Sequence, residues 1–378
     1  MDIIDSIPTS KTLEINAIAK KLKSQGKDII NLTTGEPDFP TPEPIKEKAK
    51  EALKNNFTKY TDSKGIYELR EAISTMLKGK GIYFSNDEIV VTNGGKQAIF
   101  NSIMSILDKG DEIILFSPLW VSYIPMVMLV GAEPVIVETK FENDFLPTKE
   151  DIISKLTDKT KVILINSPNN PTGSVYSKEI LEEIAEIANK NNIFVIADEV
   201  YDSLVYDGSF TSLYGMVNED LLIYVNAFSK AYSMTGWRIG FVATKNEVVY
   251  RRIAKLQSHT TSSTNSISQY AAIEATVTDN SKMVEEFRKR RNFAVEKAKE
   301  IGLDFVNPKG AFYLFFKSPV EDDEAFCKEL LEKKLVALVP GSAFNANGFV
   351  RLSFANSIEI LSEGFKRIGE FLKENINP

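Results

Sequence analysis

The sequence has one cysteine, Cys327, and one histidine, His259, among its 378 residues. A lone cysteine excludes an intrachain disulfide and fits a reducing compartment, so a cytoplasmic location is expected. A lone histidine excludes a His-rich metal centre and an HExxH zinc site, and leaves a Ser-His-Asp triad only if His259 serves. No metal is expected. Walker A, GxGxxG and GxSxG patterns are missing, which removes the usual signs of nucleotide binding and of serine hydrolases. Basic residues are not in excess: 45 Lys+Arg against 52 Asp+Glu give a net charge of −7. That balance argues against nucleic acid as a partner, because basic patches supply most of such affinity. A small basic pocket for an anionic ligand stays open. No uncharged apolar run approaches the roughly 18 residues of a membrane span. Residues 119–130 are apolar but short and contain Pro125, so they read as a buried element, and no membrane partner is expected. The start, Met1-Asp2-Ile3-Ile4-Asp5, is acidic and lacks the apolar stretch of a secretory leader. The chemistry therefore falls to Lys, Arg, Asp, Tyr and Asn, or to a cofactor.

What is present is a large apolar reserve. Hydrophobic residues make up 43% of the chain and charged residues 26%, the composition of a folded protein with a sizeable core and room for two domains. Nearly continuous apolar runs at 89–92, 112–116, 134–138, 161–166, 193–197, 221–226 and 239–244 read as strands covered on both faces. Amphipathic stretches such as 96–107 and 178–189 lie between them, the second with Ser177 placed as its N-cap. This alternation predicts an α/β fold with a mostly parallel sheet. The C-terminal part changes character. A long helical pattern over 282–301 leads into strand-like segments at 310–316, 335–339 and 349–354, then a last helix from Ser357. It reads as a smaller α+β domain, with the helical segment 12–25 packed against it. The expected division is a large domain over 40–280 and a small one built from 1–39 and 281–378.

Four short stretches follow strands, where ligands gather in open α/β sheets. In Ser229-Lys230-Ala231-Tyr232, Lys230 is either a solvated surface charge or an amine able to bond covalently to a cofactor, with Arg238 downstream as a phosphate-binding cation. Asp198, in Ala197-Asp198-Glu199-Val200-Tyr201, is either an N-cap or a site carboxylate. Beside such a lysine it would hold a pyridinium nitrogen protonated, with Tyr201 on the ring's phenolic oxygen. Ser167-Pro168-Asn169-Asn170-Pro171-Thr172-Gly173 is a plain turn or places Asn170 on that same oxygen. Thr92-Asn93-Gly94-Gly95-Lys96 is a structural turn or an anion site at a helix N-terminus.

Taken together and in this order, SKAYSMTGWRIG, SPNNPTG, ADEVY, GEPDFPTP and YTDSKGIYELREAI resemble the pyridoxal-5′-phosphate-dependent class I/II aminotransferases, nearest the aspartate (aspartate/prephenate) subgroup. The resemblance covers the chain from Ser10 to the final helix. It implies the transferase fold type I, with a seven-stranded sheet in the large domain, and pyridoxal 5′-phosphate as cofactor. By the same resemblance Lys230 is the lysine bonded to the cofactor and the carrier of the Cα proton. Arg238 holds the phosphate, as do the backbone N–H groups of Gly95 and Lys96. Asp198, Tyr201 and Asn170 hold the ring, and Trp120 stacks on it. Tyr60 resembles the tyrosine that reaches the phosphate of the other subunit, which implies a homodimer with shared sites. Arg351 matches the arginine of the substrate's α-carboxylate, and Gly35 a backbone contact beside it. Where many relatives have a phosphate-binding serine three residues before the lysine, this chain has Ala227, so that hydrogen bond is either missing or supplied by a neighbour such as Ser229.

The GGKQA form resembles the subgroup in which the lysine, here Lys96, meets a distal carboxylate, with Ser10 and Thr12 as polar residues over the substrate. The expected reaction is L-aspartate with 2-oxoglutarate, giving oxaloacetate and L-glutamate. Aromatic, alanine, kynurenine or prephenate aminotransferases and carbon–sulfur lyases share the scaffold. Outside it stand a non-catalytic cofactor-binding regulator, for which no basic appendage is present, and a phosphate- or nucleotide-binding protein using the GGK turn.

Overall fold

Strands that must be apolar on both faces should feed two separate cores, and they do. In the computed structural model, which describes residues 3–5, 7, 9 and 11–375, seven runs form one sheet. They are β1 (Ile89–Thr92), β2 (Glu112–Ser117), β3 (Glu133–Glu138), β4 (Thr160–Asn166), β5 (Phe194–Asp198), β6 (Leu222–Ala227) and β7 (Gly240–Ala243). The order is β1-β7-β6-β5-β4-β2-β3. Only β7 runs antiparallel to its neighbours; the other pairings are parallel. Successive residues alternate between cores, as a period of two requires. Val91, Ile163, Ala197 and Tyr224 enter one core, lined by the helices Tyr67–Gly79 and Lys178–Asn191. Val90, Leu164, Ile196 and Val225 enter the other, beneath the helices Gly95–Ile106 and Glu247–Thr260. Ser177 caps its helix, accepting from the Ile180 N–H at 3.4 Å. The apolar 119–130 segment is a short helix, Tyr123–Leu129, that buries Tyr123, Met126 and Val127. Pro125 sits in its first turn, where a missing N–H is tolerated. Among the described residues, no helix is long and apolar enough to cross a membrane.

A second, antiparallel sheet contains β8 (Phe305–Val306), β9 (Tyr313–Lys317), β10 (Val339–Pro340) and β11 (Phe349–Ser353), ordered β10-β11-β9-β8. The helices Ser281–Glu300 and Ile358–Asn375 close over it, with Phe287, Phe316, Leu352 and Phe365 in one core. The helix Lys11–Ser24 packs Ala19 with Ile29 and Ala337, as expected of the N-terminal helical segment.

One expected element is corrected. The single strand read at 335–339 is two two-residue strands in different sheets. Val336–Ala337 pairs in parallel with Ile30–Asn31, whereas β10 pairs with β11. The four residues Val336, Ala337, Leu338 and Val339 are all fully buried. They are distributed over three cores, which is why the run looks like one continuous strand. Pro340, with no N–H to give, ends the ladder.

Candidate active site

The parallel strands β4, β5 and β6 end at Asn166, Asp198 and Ala227, and these three residues open onto one pocket of about 280 Å³. This is the carboxyl end of the sheet, where such folds take ligands. Into the same pocket come Gly35, Gly95, Lys96, Trp120, Asn170, Tyr201, Lys230, Arg238 and Arg351, all anticipated from sequence, and Thr12 and Ser229. Tyr60 does not line it and lies 91% exposed on the surface. Ser10 lies outside the described residues.

Each side chain is held by its local structure. Lys230 sits on a single helical turn, Phe228–Ala231, directly after β6. Its Nζ donates to the Gly35 carbonyl at 2.6 Å. Burial pushes this amine down to about 8, and the cations Arg351 and Arg238 add to the shift while Glu36 and Asp198 oppose it. The result is an amine much closer to its neutral, nucleophilic form than a surface lysine. Asp198 is pushed up to about 6 by burial, although the Tyr123 hydroxyl, donating to its Oδ2 at 2.6 Å, pulls the other way. Its Oδ1 also accepts a long 3.4 Å contact from the Val200 N–H, a turn bond two residues on. No helix begins directly after Asp198, so it caps none, and its carboxylate lines the pocket instead.

Asn170 is fixed by a locked turn. Its N–H donates to Asn166 Oδ1 at 2.9 Å, and Asn169 Oδ1 accepts from Thr172 N–H at 3.1 Å and its hydroxyl at 2.9 Å. Arg351 Nη1 donates to Asn170 Oδ1 at 2.8 Å, which commits the amide oxygen and leaves the NH₂ edge for another partner. Arg351 Nη2 donates to the Thr33 carbonyl at 2.8 Å, while its Nε is buried without a partner. A buried guanidinium with a spare donor is suited to a carboxylate.

The opposite end of the pocket is built for an anion. Gly94 has φ +78°, and a Cβ there would lie 2.7 Å from Arg238 Nη2, so only glycine admits the guanidinium at this point. Arg238 is anchored by donating to the Thr235 and Asn93 carbonyls at 2.9 and 3.1 Å. Gly95 starts the helix Gly95–Ile106, whose first N–H groups have no intrahelical acceptor. Lys96 Nζ lies 4.9 Å over the Trp120 ring, and burial together with Arg238 holds its amine below the usual lysine value. The pocket thus offers a cationic end, a buried carboxylate, a lysine poised for covalent chemistry and a second cationic corner at Arg351.

Asn166, Tyr123 and Tyr313 are residues of the site that escaped the sequence reading. Tyr123, the donor to Asp198, is one helical turn from Trp120, and only that spacing hinted at it. Tyr313 sits in a strand that reads as ordinary core; its hydroxyl lies 2.9 Å from that of Tyr201.

Comparison with known proteins agrees with this geometry. The chain is 54% identical over 371 residues to the aspartate aminotransferase of Thermotoga maritima, spanning 98% of each. It is 41% identical over 377 residues to the aspartate/prephenate aminotransferase of Thermus thermophilus, spanning 98% of this chain and 97% of that one. The solved structure of Thermus thermophilus aspartate aminotransferase with maleate has a TM-score of 0.95 and 41% identity, with 98% of both chains covered. Residues 27–368 match the profile of aminotransferase class I and II, and the chain belongs to that family.

Proposed function

We propose that this enzyme is a pyridoxal-5′-phosphate-dependent aminotransferase of dicarboxylic amino acids, exchanging L-aspartate and 2-oxoglutarate for oxaloacetate and L-glutamate. The observation that carries the reading is the meeting of Lys230 with Arg351 and Lys96 in one pocket: an amine for the chemistry and a cation for each carboxylate. The residues fit the cofactor. Arg238, the N–H groups of Gly95 and Lys96, and the Ser229 hydroxyl would hold its phosphate; Ala227 offers no donor. Asp198, supported by Tyr123, would hold the ring nitrogen, with Tyr201 and the free edge of Asn170 on the phenolic oxygen and Trp120 on the ring face. When bound, the cofactor supplies an electron sink for bond breaking at the substrate's Cα. Lys230 Nζ takes and returns the Cα proton. Arg351 grips the α-carboxylate through its free Nε, with the Gly35 backbone beside it, and Lys96 takes the distal carboxylate. Thr12 Oγ1, buried without a partner, is a further polar contact over the substrate.

The same reading includes a homodimer in which Tyr60, exposed here, reaches the phosphate of the other subunit. It also includes a small domain, residues 1–39 with 281–378, that carries Arg351 toward the large domain, 40–280. Prephenate is a second candidate amino acceptor, favoured by the name of the Thermus thermophilus relative and by the same cation, Lys96, since it is an oxo acid that also carries two carboxylates.

Lys96→Ala tests the substrate class. KM for aspartate and glutamate should rise ~10-fold or more while values for phenylalanine and alanine change less than about twofold, as expected for losing one charge-assisted pair. Equal losses for both groups would remove Lys96 as the selector.

A further inference from the structure

We infer that Tyr313 is a positioning residue that ties the carboxylate-binding Arg351 to the cofactor-facing Tyr201, its ring serving the first and its hydroxyl the second. The inference rests on the aminotransferase reading above.

The register of the small sheet makes the juxtaposition. β9 pairs with β11 so that Phe315 faces Arg351 and Tyr313 faces Ser353. Tyr313 and Arg351 are therefore diagonal neighbours on one face, within reach for an aromatic ring and a long side chain. The Arg351 guanidinium lies 4.4 Å from the Tyr313 ring centroid and 4.8 Å from that of Phe344. Two rings pack against the guanidinium by cation–π contact and accept none of its N–H groups at their edges. That explains how Arg351, 2% exposed, keeps Nε free at a fixed angle. Hydrogen-bonding partners in place of the rings would have occupied the edge that the substrate needs.

Phe344 supplies only a ring. Tyr313 adds a hydroxyl, 2.9 Å from the Tyr201 hydroxyl, and both side chains are almost completely buried. The approach depends on Gly35, where a Cβ would lie 2.9 Å from the Tyr313 oxygen. The Gly35 carbonyl meanwhile accepts from Lys230, so Tyr313, Gly35 and Lys230 form one continuous wall of the pocket. A hydrogen bond between two hydroxyls uses one of their two protons and leaves the acceptor's own proton free. With Tyr313 as donor, the Tyr201 proton is released to point into the pocket; with the polarity reversed, Tyr201 has nothing left to give. The useful polarity is the first, and it makes Tyr313 the residue that aims Tyr201.

Ring and hydroxyl can be separated. Tyr313→Phe removes only the hydroxyl. KM for aspartate should stay within about twofold, kcat should fall ~3–10-fold, as for the loss of one hydrogen bond, and the pH midpoint of the bound cofactor's visible absorption should rise by about half to one unit. The last shift follows because a well-aimed donor on the phenolic oxygen favours its ionised form. Phe344→Leu should do the reverse, raising KM ~3–10-fold through lost contact with the guanidinium and leaving the spectral midpoint in place. Tyr313→Leu should do both. Tyr313→Phe is the decisive variant, because it keeps the ring and the packing. A wild-type spectral midpoint in that variant, or a rise in KM equal to that of Tyr313→Leu, would overturn the inference. Failure of the wild-type protein to transaminate aspartate would instead count against the substrate reading, and the spectral comparison, which needs only bound cofactor, would still judge Tyr313.

Discussion

Asp198 and Glu199 are consecutive carboxyls, each 3% exposed, that point in opposite directions. Asp198 faces the pocket. Glu199 turns into the packed wall, where its Oε1 accepts from the Ser212 hydroxyl at 2.9 Å and the Leu213 N–H at 3.2 Å, and its Oε2 has no partner. Burial raises both, Asp198 to about 6 and Glu199 to about 8. By perturbation alone Glu199 would be the better candidate for a functional group. The contrast teaches that a displaced pKa records burial, and that function is recorded by what a group faces. Asp198 shares a cavity with Lys230 and is aimed by Tyr123, whereas Glu199 faces side chains of the core.

The contrast is open to direct attack. Asp198→Asn should lower kcat ~10²–10³-fold, as expected for removing a charge that stabilises the reacting system in a buried site, while Glu199→Gln should leave kcat within about twofold. Comparable losses in the two variants, measured by steady-state transamination, would erase the distinction. Tyr123→Phe should fall between them, lowering kcat ~3–10-fold through one lost hydrogen bond to a charged group. An unchanged kcat would show that Asp198 needs no aiming.

The smallest effect sharpens the picture on the other side. The Glu199 carboxyl has an ordinary value of 4.5 and stands at about 8 in the folded chain. Between those values the folded state holds more protons than the unfolded state, so this group's contribution to stability falls as pH rises from about 4.5 to about 8 and is level above. Glu199→Gln, neutral at every pH, should therefore raise Tm more at pH 8 than at pH 5. An equal Tm change at both would mean that Glu199 is ionised in the folded protein.

Much of this was legible in the chain. The seven strands of the large sheet could be read because burial on both faces leaves uninterrupted apolar runs between polar turns, and the site motifs follow those runs directly. The 335–339 segment could not, because its burial comes from three different cores that only the assembled fold brings together. Tyr123 and Tyr313 were missed for a related reason. Their importance lies in hydrogen bonds to Asp198 and Tyr201, 75 and 112 residues away in sequence, and nothing in their own neighbourhoods differs from ordinary buried tyrosines. Asn170 and Arg351 were legible as individuals through the family resemblance, but their 2.8 Å bond to each other across 181 residues belongs to the fold.

The most direct test of the central claim is a half-reaction. The purified protein, loaded with pyridoxal 5′-phosphate, is mixed with aspartate, glutamate, phenylalanine or alanine in the absence of any oxo acid, and the cofactor's visible absorption is followed. The account predicts rapid loss of that absorption with aspartate and glutamate, slow loss with the other two, and none with any donor in Lys230→Ala. Rapid loss with phenylalanine or alanine instead would contradict the dicarboxylate assignment, and no loss with any amino acid would contradict the transaminase itself.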